Sequence, residues 1–235
     1  MSVLVEHYDV FLSGLWVTLQ ISLLSAIGAL IIGTIVAVMR ISPIPPLRWF
    51  GTMYVTLFRN APLTVIMFFT AFALPVIGVT GNFLKIPGLS SIFVRLGTDL
   101  PYFRLAIIAL SVYTAAFVCE AIRSGVNAVS PGQSEAGRSL GLTFAQNLRY
   151  VVLPQAWKAA IVPLGSVIIA MIKNSALAGI FGVTGDLTSE GQRMISALGQ
   201  SAVPTFIGIA AGFLVLTMPL GYLLDRLEKQ RAVTR

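Results

Sequence analysis

The residues able to do chemistry in this chain are few, and they fall in a small number of places. From Gly132 to Ala156 the sequence reads G-Q-S-E-A-G-R-S-L-G-L-T-F-A-Q-N-L-R-Y-V-V-L-P-Q-A. Breakers frame a short helix there. Pro131 and Gly132 precede it, and Glu135 falls in its first turn, where a helix N-terminus favours negative charge. Gly141 suits a C-terminal cap. Ala136 and Gly137 leave a flat surface able to press against another protein, and Leu153–Pro154 starts or kinks the next helix. A second group, Lys173-Asn174-Ser175, interrupts an apolar run. A lysine at mid-helix in a bilayer costs about 2.5–3.5 kcal/mol, so it must face protein or water. It is either a pathway residue attracting an anion, or a lysine near the outer helix end that snorkels or pairs within the bundle; the second reading is favoured. Asn174 and Ser175 are hydrogen-bonding liners or interhelical contacts. Arg59, Asn60 and Pro62 mark a kinked pathway helix, whose proline frees carbonyls toward a cavity, or else a turn at the membrane interface. Glu120 and Arg123, three apart, pair near a membrane boundary. Tyr113 lies on a similar face and is a candidate pathway residue.

Other chemistry is excluded. One cysteine, Cys119, and one histidine, His7, allow neither an internal disulfide nor a Cys- or His-rich metal site. No G-x-x-x-x-G-K-[ST] phosphate loop exists, so the chain does not bind ATP in that manner. An intramembrane enzyme would need a His/Asp/Glu or Ser constellation that is missing. Hydrophobic residues make up 56% of the 235 and charged ones only 11%, against about 25% charged in soluble proteins. The mean hydropathy is +0.87. The solvent of such a chain is largely lipid. Its net charge of +7 then reflects cationic cytoplasmic loops rather than nucleic-acid binding.

The gaps between charges place the elements. Residues 10–39 carry no charge, more than the roughly 20 residues a helix needs to cross the hydrocarbon. This run is too long, and its flank too acidic, for a signal peptide. Gly14, Gly28 and Gly33 within it permit close helix approach. The prolines of residues 41–48 impose a loop. Further spans are expected over about 52–77, 104–123, 159–181 and 203–224, with an exposed loop over Gly78–Pro101 that holds a short interfacial helix and a large polar loop over 124–158. Arg40 and Arg48, then Arg123, Arg138, Arg149 and Lys158, then Arg226, Lys229, Arg231 and Arg235 fall on one side. Only Lys85, Arg95, Arg104 and Arg193 fall on the other. The positive side is cytoplasmic, which puts the N-terminus outside and the C-terminus inside.

The pattern E-A-G-x-x-x-G, nine residues, then V-x-L-P, running from Glu135 to Pro154, resembles the E-A-A-x-x-x-G-x9-I-x-L-P loop of ATP-binding-cassette importer permeases. Y-V-T-L-F-R-N-A-P-L from Tyr54, Y-T-A-A-F-V-C-E-A-I-R-S-G from Tyr113, G-Q-S-E-A from Gly132, L-P-Q-A from Leu153 and K-N-S from Lys173 look like the polar amino-acid uptake subfamily. R-S-L-G-L, P-Q-A-W-K-A-A-I-V-P-L-G and M-I-K-N-S are similar to actinobacterial glutamate permease subunits. Two positions depart: relatives carry Asn where this chain has Ser166, and Thr or Ser where it has Ala176. Relatives moving basic amino acids also carry lysine at the position of Lys173.

The resemblance implies an all-α integral membrane protein with five transmembrane helices of type I ABC importer permease (MetI-like) architecture. Its implied partners are a second permease subunit in a heterodimer, two cytoplasmic ATPase subunits that hold the ATP and Mg, and an extracellular substrate-binding protein. The cargo is a polar amino acid, glutamate foremost, with glutamine or aspartate as alternatives. Gly132, Glu135, Ala136, Gly137, Gly141, Leu153 and Pro154 would couple to the ATPase. Arg59, Asn60, Pro62, Tyr113, Ser166, Lys173, Asn174 and Ser175 would line the passage. A secondary transporter driven by an ion gradient is the competing class; five spans and no mid-membrane carboxylate relay argue against it.

Overall fold

The structure, a computed structural model, describes residues 6–80 and 101–232. Helix α1 spans Tyr8–Ile41. A three-residue turn leads to α2, Pro45–Asn60, with proline at its start. Then comes α3, Leu63–Val76, bent 100° from α2. Helix α4 is Pro101–Asn127 and α5 is Pro131–Ser139. Helix α6, Phe144–Ile180, is continuous apart from a π turn at Leu148–Val152 and an interruption at Ser175. The short α7 covers Leu187–Ser196, and α8 covers Ala202–Ala232. Four of these helices are long and apolar enough to cross a membrane, and the bent pair α2–α3 makes a fifth, broken span. Most of the loop expected over Gly78–Pro101 lies outside the described residues.

The span expected as one helix over about 52–77 is therefore two. Asn60 ends α2, Ala61 and Pro62 are extended, and the carbonyl of Pro62 begins α3 by accepting from the N–H of Val65 and Ile66. Proline at that point cannot donate to the preceding turn, so the first helix stops there. The polar loop expected over 124–158 is mostly helix: α4 runs on to Asn127, α5 occupies its middle, and α6 begins at Phe144. Lipid gives apolar helices no hydrophobic reason to associate, so close approach of small residues has to hold them.

Helix α4 is the centre, packed along α1 and α6, with Ala106, Ala109, Ala115, Ala116 and Ala121 buried. Its partners offer glycine where it comes closest. A β-carbon on Gly28 would strike the Ser111 hydroxyl, and one on Gly33 would lie 2.6 Å from Val118 Cβ and 2.8 Å from the Ala115 carbonyl. Gly125 of α4 sits equally tight on α6, where a β-carbon would lie 2.5 Å from the Ala156 carbonyl. Gly28–Ser111 and Gly33–Val118 advance together, so α1 and α4 run parallel. On α6, Ala160 and Leu164 pack near Val118 and Ala121, while Ala178 packs near Phe103, Ala106 and Ala109, so α6 is antiparallel to α4.

At the far end of the bundle the corner before α7 docks onto α1. Gly14 faces Leu187, whose N–H donates to Thr18 Oγ1 at 3.0 Å. Asp186 is fully buried and caps α7, accepting from the N–H of Thr188 and Ser189 at 3.1 and 3.2 Å. Burial pushes its carboxyl above the usual range, against the pull of those hydrogen bonds.

Replacing Gly33 by leucine should overpack the α1–α4 contact and cost about 1–3 kcal/mol, read as a lower unfolding temperature of the purified protein in detergent. Gly221, which has nothing within 4 Å, is the control: Gly221→Ala should leave that temperature unchanged or raise it.

Candidate functional site

The helix that stood out in the sequence is a rigid projecting corner. Pro131 opens α5 one residue after Ser130. Glu135 therefore sits in the second turn rather than the first, exposed on the outer face with Gly132 and Ala136. The C-terminus is a complete Schellman closure: Gly141 N–H donates to the Arg138 carbonyl at 2.9 Å and Leu142 N–H to the Gly137 carbonyl at 3.2 Å. Gly141 has φ +83, a left-handed conformation that strains any residue with a β-carbon. A β-carbon there would touch nothing within 4 Å of this chain. The glycine is required by the turn itself.

Gly137 does not belong to the flat outer surface. It is buried, and a β-carbon on it would lie 2.6 Å from Asn147 Oδ1. Asn147 is itself buried, and its Nδ2 donates to the carbonyl and the hydroxyl of Ser134 at 2.8 and 2.9 Å. This one side chain ties α5 to the start of α6. Thr143 caps that start by accepting from the N–H of Gln146 at 3.3 Å, while Gln146 Oε1 accepts from the Thr143 N–H at 2.9 Å. T-x-x-Q was a legible capping signature; nothing in the sequence singled out Asn147. Pro154 lies just past the π turn, where its missing donor loosens the ladder. Leu153 and Pro154 are exposed, as are Leu140 at 82% and Phe144 at 57%. The corner thus presents apolar side chains on a braced frame.

The residues expected along the passage are divided by the fold. Tyr113 and Asn174 line one cavity of about 160 Å³ between α4 and α6, with Thr114, Phe117, Val167 and Met171. Thr114 Oγ1 is buried there with no hydrogen-bond partner. Ser166 and Lys173 are exposed, seven residues apart and so on one face of α6 beside that cavity. The Ser166 hydroxyl donates to the Val162 carbonyl. Ser175 points away, buried against α1, where Ser22 Oγ donates to its hydroxyl at 3.3 Å. Pro62 is the bend, and Asn60 is turned back on the Thr56 carbonyl at 2.8 Å.

Arg59 lies in the last turn of α2, and its guanidinium lies 3.4 Å from Glu120. Arg40 and Arg123 also meet Glu120, the latter at 3.5 Å. Only the Glu120–Arg123 pair was legible in the sequence. Arg40 and Arg59 arrive from helices remote in the chain.

Membrane-length helices with a braced corner whose apolar side chains face outward define a multi-span membrane protein. The comparisons with known proteins give that class its family. The chain belongs to the binding-protein-dependent transport system inner membrane components, matching that family over residues 12–232. It is 40% identical over 225 residues, 95% of each chain, to the glutamate transport system permease protein GluC of Corynebacterium efficiens. It is 38% identical over 233 residues to the probable glutamine ABC transporter permease protein GlnM of Bacillus subtilis, covering 97% of this chain and 98% of that one. A crystal structure of an amino acid ABC transporter with histidines superposes with a TM-score of 0.80 at 32% identity, covering 97% and 96% of the two chains. The inward-facing MetNI methionine ABC transporter shares the fold, with a TM-score of 0.71 at 23% identity.

Asn147→Leu removes the tie between α5 and α6 and leaves Ser134 short of a donor, a loss of about 1–3 kcal/mol. The variant should still insert in membranes but be cut faster by protease between 139 and 143, read by timed digestion of inside-out vesicles.

Proposed function

We propose that this chain is a permease subunit of an ATP-driven importer that moves a polar amino acid, glutamate foremost, across the cytoplasmic membrane. The observation that carries the reading is the α5 corner, closed by Gly141 and braced by Asn147, with its apolar edge exposed. Two ATPase subunits dock on such corners from the cytoplasm and hold the ATP and Mg. A second, different permease subunit completes the passage, and an external binding protein delivers the cargo. The Lys and Arg distribution supports an N-terminus outside and a C-terminus inside. The relatives named for glutamate and glutamine support the amino-acid cargo.

The corner works as a lever. An ATPase that closes on nucleotide displaces α5, and Gly125, pressed on α6, passes the displacement on as a rigid-body movement of α4 and α6. Gly132, Glu135, Ala136, Leu153 and Pro154 form the side of the corner open to the ATPase, while Gly137 and Gly141 set its shape.

The cargo's α-carboxylate and side chain must be kept from an uncompensated apolar surrounding. Tyr113, Thr114 and Asn174 offer neutral hydrogen bonds in the α4–α6 cavity, and Ser166 and Lys173 stand beside it. Lys173 is exposed and pairs with no carboxylate among the described residues, which fits a cation facing the passage and equally one that snorkels at the outer helix end. The test of the whole reading is reconstitution: uptake into liposomes should require ATP, the ATPase and the binding protein together, and uptake by this chain alone on an ion gradient would refute it.

Gly141→Val forces a β-branched residue into the left-handed turn. The permease should remain in the membrane while uptake and substrate-stimulated ATP hydrolysis fall together; full coupling in this variant would count against the lever. Lys173→Met should lower glutamate uptake by roughly tenfold and glutamine uptake much less, with binding-protein affinity unchanged. Equal losses for the two would make Lys173 a structural residue.

A further inference from the structure

Three guanidiniums converge on the carboxylate of Glu120, and they come from three different helices. Arg40 is in the last turn of α1, Arg59 in the last turn of α2, and Arg123 one turn on from Glu120 itself. They are not equivalent. The Arg40 side chain is only 13% exposed and in the closest contact with Glu120 Oε1, so it holds α1 to α4. Arg123 shares that oxygen from the same helix and joins nothing new. Arg59 approaches the other oxygen, Oε2, at 3.4 Å, and its side chain is 56% exposed. It is a looser contact, open to being broken and remade.

What hangs on each side of that contact gives it meaning. On one side Glu120 is five residues from Gly125, the point where α4 presses on α6, and α4 leads through Ala128–Ser130 into the docking helix α5. On the other side Arg59 is three residues before Pro62, the pivot of the 100° bend, beyond which α3 packs by Met67 against Phe103, Ala106 and Ala109. Helix α2 lies across α1 and α4, with Val55 buried against Val36, Ala116 and Cys119 and the Tyr54 hydroxyl donating to the Val112 carbonyl at 2.6 Å. The chain is therefore continuous from α5 to Glu120 and from Arg59 to the broken span, and beside the apolar packing of Val55 and Met67 and the Tyr54 hydrogen bond the two sides share one charged contact, Arg59–Glu120.

We propose that the Glu120–Arg59 pair is the link by which displacement of α5 reaches the broken span, with Glu120 and Arg59 acting as positioning residues for transport. This rests on the reading of α5 as the ATPase-docking corner. An ion pair suits the task because its charge-assisted hydrogen bond is lost over a small separation, so a shift of α4 is felt by α2 as a choice between engaged and released. Arg40 keeps α1 and α4 together in either arrangement, so releasing Arg59 does not open the bundle.

The test uses the complete importer in liposomes, with binding protein, and compares Arg59→Gln and Arg59→Lys with the native chain. Arg59→Gln should assemble and hydrolyse ATP at close to the native rate, while glutamate and glutamine uptake both fall about tenfold. The ATP consumed per amino acid imported then rises by the same factor. Arg59→Lys, which keeps the charge, should recover most of the uptake. An unchanged ratio of ATP to amino acid overturns the proposal. So does a loss confined to glutamate, which would make Arg59 a contact for the cargo's side chain. Failure of Arg59→Gln to assemble would make the pair a folding contact and overturn it equally. If the native chain itself shows no ATP-driven uptake, it is the underlying reading that fails.

Discussion

Everything in this bundle depends on how closely backbones approach along α4. In hydrocarbon the helices gain nothing by leaving an apolar solvent, so cohesion comes from dispersion between surfaces that fit. Glycine and alanine at the crossings permit it. Gly28 and Gly33 admit α4 from the side of α1, and Gly125 admits α6. Each contact would be lost with a β-carbon. The stripe of buried alanines on α4 makes the same allowance from the other side. Tight crossings also fix α4 against both of its neighbours.

Polar groups are spent sparingly and where they fix a relation between elements. Asn147 holds α5 to α6 through Ser134, Thr18 holds the α7 corner to α1, and Ser22 meets Ser175 between α1 and α6. In lipid an unpaired polar group has no water to turn to, so such contacts specify geometry as much as they stabilise it. The Glu120 cluster follows the same logic, with three cations from three helices sharing one carboxylate. Thr114 is among the buried polar groups with no hydrogen-bond partner, with Ser25, Thr188 and the Gln20 amide, and it alone of these lies on the wall of the α4–α6 cavity.

Close fit and economy of polar groups together explain why the second span is broken. A straight helix from 52 to 77 would carry Arg59 and Asn60 into the hydrocarbon. Ending α2 at Asn60 and restarting at Leu63 leaves both at the bend, where Glu120 meets one and the Thr56 carbonyl the other. One face of α2 packs on α1 and α4, so that Val55 is covered and Trp49, Met53 and Leu57 stay outside.

The linear sequence determined the class of the solvent, the long spans and the short helix α5 with its glycine cap, because those follow from local composition and from breakers only a few residues apart. A charge-free run as long as residues 10–39 has no other home than lipid, and P-G at one end with L-G at the other bounds a helix wherever it lies. Tertiary structure alone decided what Gly137 is for, since its reason is the oxygen of Asn147 ten residues on. It decided that Ser175 turns toward α1 while Asn174 faces the α4–α6 cavity, because one residue is about 100° of helix and only packing says which side is inside. It decided the fate of Arg59 as well. Sequence spacing shows which charges share a helical face, but a pairing such as Arg59 with Glu120, 61 residues apart, is set by how whole helices cross, and that depends on the summed fit of many small residues rather than on either charge.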